Sequence, residues 1–134
     1  MNIKNTHFIA LEFLMEKGLI QVYDYNIHVC DELTFLALIQ PILILWPQLF
    51  KQNRTFNHLY GNLLNDAWSY ERLKDVPSNN SCAAYGPYAC VFIDHLLVGM
   101  DMNCLNDNEV DNYRMKYVVA VLEKILTPSE SNCV

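Results

Sequence analysis

The chain has 134 residues, 52% of them hydrophobic and 18% charged, and nine Lys and Arg against fifteen Asp and Glu leave a net charge of −6. One domain is the expected scale. The apolar content excludes intrinsic disorder, and an acidic chain without a basic run is excluded as a binder of nucleic-acid backbone. Met1-Asn2-Ile3-Lys4 leads into an alternating stretch rather than a basic segment and an apolar core, so no secretory signal is expected. Five cysteines (Cys30, Cys82, Cys90, Cys104 and Cys133) form an odd, irregularly spaced set. They read as reduced thiols of an intracellular protein, nuclear or cytoplasmic. With no Cys-x-x-Cys pair, and no second ligand pair beside His28-Val29-Cys30, neither zinc nor any other cofactor is expected.

The stretch from His7 to Met15 is apolar at both parities, which predicts a strand covered on both faces. Glu16-Lys17-Gly18 is a turn, with Gly18 able to take positive φ. Leu19 to Asp24 is the returning strand of a β-hairpin. Asp31 has the chemistry of a helix N-cap. The run from Leu33 to Leu49 is almost continuously apolar, yet Thr34, Gln40, Pro41 and Pro47 interrupt it. A buried helix of a soluble domain, bent or broken near Pro41, is therefore expected rather than a membrane span.

Gln52 to Asp66 is polar and mixed, suiting a loop or a short helix. Trp68 to Leu73 alternates in the manner of a strand. Asp75 to Ala84 is crowded with Pro, Ser and Asn and reads as a loop. Gly86-Pro87 opens an apolar helical stretch, Tyr88 to Val98, closed by Gly99 as a C-cap. Asn106 or Asp107 begins a last helix with Val110, Tyr113, Val118, Val121, Leu122 and Ile125 on one side, and Thr127-Pro128 ends it. The order of elements is α+β, with one domain over 1–127 and a flexible tail over 128–134.

His7 opens the first strand of the hairpin and Asp24 closes the second, so both sit at one hairpin end. A helix begins near Gly86 after a polar loop, and a cysteine at such a helix start would have its thiolate favoured by the helix dipole. A His–Asp pair there would orient a base toward it. This is the layout of a papain-type cysteine hydrolase with chain order His, Asp, Cys. Its geometric requirement is that the His7 and Asp24 side chains lie within hydrogen-bond reach. His95 and Asp94, inside the helical stretch, read as structural.

The strings Thr6-His7-Phe8-Ile9-Ala10-Leu11-Glu12 and Gly18-Leu19-Ile20-Gln21-Val22-Tyr23-Asp24 resemble the His-Trp and Val-Tyr-Asp-Ser signatures of the ubiquitin-like-protein proteases. These are the SUMO-type cysteine peptidases, including their plant branch. Val76-Pro77-Ser78-Asn79-Asn80-Ser81-Cys82-Ala83-Ala84-Tyr85-Gly86 is similar to that family's Val-Pro-Gln-Gln-x-Asn-Gly-x-Asp-Cys-Gly segment. Pro87 to Ile93 resembles the start of its central helix, and Asn108 to Met115 its last helix. The resemblance spans nearly the whole chain. It implies a papain-like fold of the Ulp type without the N-terminal part, which supplies much of the substrate groove. It also implies a thiol protease acting on SUMO-type ubiquitin-like modifiers or their conjugates, with no nucleic-acid or membrane partner. By the same resemblance His7 takes the general-base position, Asp24 the orienting acid, and Asn79 the position of the oxyanion-hole Gln.

The nucleophile position holds Tyr85 in place of Cys, and Ala84 replaces the preceding Asp. A phenol with a pKa of about 10 is a poor nucleophile toward an amide at neutral pH. This predicts a degenerate member of the family, and Tyr85 is expected beside His7 and Asp24. Cys82, three residues upstream, would stand in for the nucleophile only in a remodelled loop, because an extended segment of that length reaches about 10 Å at roughly 3.3–3.6 Å per residue. Cys90, one turn into the helix, is expected to be buried as a small apolar residue. The alternative is a non-catalytic α+β interaction module in which His7 and Asp24 are incidental.

Overall fold

The hairpin at the centre of the fold follows from its turn. Gly18 has φ of +59°, a conformation costly for residues with a Cβ. The turn lets Leu14 pair with Leu19 and the two strands run antiparallel out to Ala10 opposite Tyr23. A computed structural model describes residues 1–3, 7–77 and 85–126 of the chain. In it the first strand is broken into two short pieces. β1 (Asn2–Ile3) pairs antiparallel with β2 (His7–Phe8), and after a break at Ile9 the hairpin proper is β3 (Ala10–Leu14) and β4 (Leu19–Tyr23). The single strand expected from His7 to Met15 is split because Ile9 exchanges hydrogen bonds with Met1, its N–H to the Met1 carbonyl at 2.9 Å and the Met1 amine to its own carbonyl at 2.7 Å. Ile9 is buried there.

The third strand, β5 (Ser69–Arg72), lies parallel to β4 with Leu19 opposite Ser69 and Val22 opposite Arg72. Parallel strands need a long crossover. Here it contains α1 (Glu32–Gln52), α2 (Arg54–Tyr60) and a 3-10 turn over Gly61–Leu64. Asp31 caps α1, accepting from the Thr34 N–H at 2.9 Å and the Thr34 hydroxyl at 2.7 Å.

α1 runs unbroken through both prolines, against the expected break near Pro41. A proline leaves the carbonyl four residues earlier without its helical donor. For Pro47 that carbonyl belongs to Leu43, and it accepts from the Trp68 N–H at 3.0 Å instead. The same bond fixes the entry to β5. For Pro41 the carbonyl belongs to Ala37, and both residues lie on the exposed side, open to solvent. The expectation of a buried helix is also corrected. Only Phe35, Ile39, Leu43 and Pro47, one stripe at four-residue spacing, are buried, while Leu33, Leu45 and Leu49 are more than half exposed. By length and composition this helix is long and apolar enough to cross a membrane.

α3 (Tyr85–Val98) and α4 (Asp107–Leu126) complete the chain, with Gly99 at φ +66° closing α3 and the Asn106 side chain accepting from the Glu109 N–H at the start of α4. Alternation along the hairpin sends side chains to two cores. Ile20 and Val22 join Phe35, Ile39, Leu43 and Trp68 on the α1 side. Ala10 and Tyr23 join Tyr88, Val91, Phe92 and Val110 on the α3 side. The sheet is thus covered on both faces, in an α+β arrangement. On α4 the buried stripe is Val110 with Tyr113 and Tyr117 against it, while Val118, Val121 and Leu122 are about half exposed. Of the apolar side expected for that helix, Val110 and Tyr113 are packed while Val118, Val121 and Leu122 are half exposed, and the Ile125 side chain lies outside the described part. Cys90 is exposed, against expectation, because α3 turns Tyr88, Ala89, Val91 and Phe92 inward and position 90 falls between those rows.

Candidate active site

The hairpin register ends with Ala10 opposite Tyr23, and His7, which lies on β2 of the β1–β2 pair rather than on the hairpin as expected, comes to the same end as Asp24. There His7 Nε2 lies 2.7 Å from Asp24 Oδ1, and both side chains are wholly buried. Asp24 Oδ1 also accepts from the Asn26 N–H at 3.0 Å. Its second oxygen accepts from two nitrogens of Arg72, Nη2 at 2.5 Å and Nε at 3.1 Å. Burial by itself would raise the Asp24 carboxyl, but the hydrogen bonds from His7, Arg72 and the Asn26 backbone outweigh it and hold the group below the usual carboxylate range.

Arg72 reaches Asp24 because of the parallel register. Opposite Val22, its side chain shares a face with Val22 and, two residues on, with Asp24. The guanidinium lies 4.5 Å over the Phe35 ring and donates to the Cys30 carbonyl at 2.9 Å and the Ile27 carbonyl at 3.1 Å. One side chain therefore ties β5, the loop after β4 and α1 to the carboxylate. Such fork geometry is specific to Arg.

The tautomer of His7 follows from its partners. An ionised Asp24 only accepts, so Nε2 carries a proton and donates, and in the neutral imidazole the lone pair is then on Nδ1. The Tyr25 hydroxyl is 2.8 Å from that Nδ1, placed to donate to its lone pair in this tautomer. Tyr25, fully buried, stacks on Tyr88 of α3 with ring centroids 4.9 Å apart at 21°. Its ring also lies 4.9 Å from the His7 ring. The arrangement is a buried chain of hydrogen bonds, Tyr25 to His7 to Asp24, closed by Arg72. A cavity of about 250 Å³ lies at this end, with Asp24, Tyr25, His28 and Lys74 in its wall.

The structure brings His7 and Asp24 together. Tyr85 is the first residue of α3, at the helix N-terminus, and its side chain lies outside the described part of the structure, as do Asn79 and Cys82. His95 is buried with Nδ1 2.9 Å from the Val91 carbonyl, and Asp94 accepts from the Tyr117 hydroxyl at 2.6 Å, both structural bonds between or within helices. Sequence reasoning missed Tyr25 and Arg72. Tyr25 carried no signal beyond its position after Asp24. Arg72 carried one, a cation in an otherwise alternating strand, but a partner 48 residues away cannot be read from spacing.

A family model described as the Ulp1 protease family, C-terminal catalytic domain, matches residues 1–128. No curated protein and no solved structure matches the chain.

Proposed function

Because this chain belongs to the Ulp1 protease family, we propose that it is a ubiquitin-like-protein peptidase domain that recognises a SUMO-type modifier and has lost turnover. The observation that carries the peptidase-domain half is the buried His7–Asp24 pair at 2.7 Å within a family catalytic domain. A His oriented by a carboxylate, with its second nitrogen aimed away, is the base of a cysteine peptidase. In an active member the base takes the proton of a thiol at the helix start, the thiolate attacks the carbonyl after the modifier's C-terminal glycine, and donors of the preceding loop stabilise the oxyanion. In this chain His7 is assigned as the base, Asp24 as the orienting acid and Asn79 as the oxyanion donor.

The loss of turnover rests on Tyr85 at the nucleophile position. Its phenol is less acidic than a thiol, and its rigid ring carries the oxygen several ångströms further from the backbone than a cysteine sulfur. Displacement of even about 1 Å costs on the order of a hundredfold in rate. What remains is a fold able to hold a modifier without cleaving it, in the nuclear or cytoplasmic interior.

The test is a SUMO or ubiquitin bearing an electrophilic C-terminus, incubated with the wild-type chain. No covalent adduct is expected, while isotope-labelled SUMO should show chemical-shift changes on titration with the chain. An adduct would overturn the loss of turnover, and its disappearance in Cys82→Ser would identify Cys82 as the nucleophile. Absence of any binding to SUMO or ubiquitin would overturn the choice of modifier.

A further inference from the structure

A neutral imidazole has one basic lone pair. In this chain that lone pair is on His7 Nδ1, because Nε2 is committed to Asp24 at 2.7 Å. We infer that Tyr25 is a positioning residue that occupies this lone pair and withholds the base from the N-terminus of α3, a second block on turnover independent of residue 85. The inference rests on the reading of His7 as the family's general base.

Two observations carry it. The first is the bond itself, 2.8 Å from the Tyr25 oxygen to Nδ1, with the donor direction dictated by Asp24 on the other side of the ring. The second is that the hydroxyl cannot swing aside cheaply. Tyr25 is fully buried, packed against His7 on one side and stacked on Tyr88, itself 1% exposed, on the other. Releasing Nδ1 would require a buried aromatic ring to leave its stack or its hydroxyl to give up a buried hydrogen bond, and both are unfavourable. Arg72 reinforces the arrangement from the far end. By holding both carboxylate orientation and charge on Asp24, it keeps Nε2 as the donor and so keeps the lone pair facing Tyr25.

The consequence is that a thiol at position 85 would not find a base. Restoring the nucleophile with Tyr85→Cys leaves a thiol with no imidazole to take its proton, and only the helix start then favours its thiolate. Removing the hydroxyl as well, with Tyr25→Phe, takes this hydrogen bond from Nδ1 while the ring stack on Tyr88 is retained, so the variant keeps its packing.

The experiment has two readouts. In the first, heteronuclear NMR of the imidazole nitrogens follows His7 in the wild type and in Tyr25→Phe. The Nδ1 resonance should move downfield in the variant as it loses its hydrogen bond, with Nε2 still protonated. A Tyr25 that served packing alone would leave it in place, and an unchanged Nδ1 overturns the inference. In the second, iodoacetamide labelling at position 85 is mapped by mass spectrometry at neutral pH. The Tyr25→Phe/Tyr85→Cys thiol should react about tenfold faster than the Tyr85→Cys thiol, as thiolate paired with imidazolium forms. A Tyr85→Cys thiol that His7 already activates, so that adding His7→Gln slows its labelling, overturns the inference. A moved Nδ1 resonance without faster labelling upholds the hydroxyl's hold on His7 and overturns the placement of position 85 as the nucleophile site, which separates the two readings.

Discussion

Asp24 shows how much one buried carboxylate can organise. Four donors converge on its two oxygens, from His7, from the Asn26 backbone and twice from Arg72. Because these bonds lower its pKa in the folded chain, the unfolded chain binds more protons at acid pH. The stability it contributes is therefore complete above the unfolded value of about 3.9 and is lost as pH falls through the lower folded value. Wild-type stability should decline on acidification below about pH 4, and Asp24→Asn should show a shallower acid slope from a lower starting point. Urea midpoints taken across that range check it, and equal slopes would count against the assignment. Tyr70 shows the opposite direction: partial burial, then its hydrogen bond to Glu32 at 2.6 Å, push its phenol up to about 12.

At the scale of single elements, α1 is the informative case, since it carries two prolines with different surroundings. Pro41 is exposed, and no backbone N–H among the described residues takes up the carbonyl it orphans. Pro47 is buried, and the carbonyl it orphans binds Trp68. Pro41→Ala should therefore stabilise the chain by about 1–2 kcal/mol. That is part of the roughly 3 kcal/mol an interior proline costs, the rest being offset by the greater freedom of the unfolded chain. Pro47→Ala should give no gain, because it removes buried ring atoms worth about 0.8 kcal/mol per methylene and adds a donor to an acceptor already engaged. Urea unfolding of the two variants side by side distinguishes them. Equal stabilisation would mean that the Leu43–Trp68 bond does not matter. The same helix explains why its apolar run misled: composition cannot say that only the stripe from Phe35 to Pro47 meets the sheet.

For the whole molecule, one sheet separates two cores, and both rest on the same hairpin. Ile20 and Val22 serve one side, Ala10 and Tyr23 the other, so losing either core removes support from the strands that carry the second. A single cooperative transition is expected. Phe35→Ala and Phe92→Ala, in opposite cores, should each cost about 3–5 kcal/mol. Trp46 and Trp68 lie on the α1 side, so their fluorescence reports that core directly. If the molecule is one unit, Phe92→Ala shifts the tryptophan-detected midpoint together with the far-ultraviolet circular dichroism. A tryptophan midpoint that ignores Phe92→Ala would show two units.

Local chemistry determined much of this protein in advance. The Gly18 turn, the Asp31 cap, the strand around Tyr70, the Gly99 stop and the start of the last helix are all decided by residues within one turn of each other, so they are legible in the chain. The order of His7 and Asp24 along the chain is likewise legible, but His7 sits on β2, paired with β1, so its place beside Asp24 does not follow from the hairpin register alone. Tertiary structure alone decided the rest. It routed β5 parallel to β4 through a crossover longer than forty residues, and only that register puts Arg72 beside Asp24. It stacked Tyr88 of α3 on Tyr25 and so pinned a hydroxyl on the base nitrogen. It also chose which face of α1 to bury. The physical reason is common to all three: a buried hydrogen bond or ring stack is set by which surfaces meet in space, and residues 48 and 63 positions apart carry no periodicity that records their meeting.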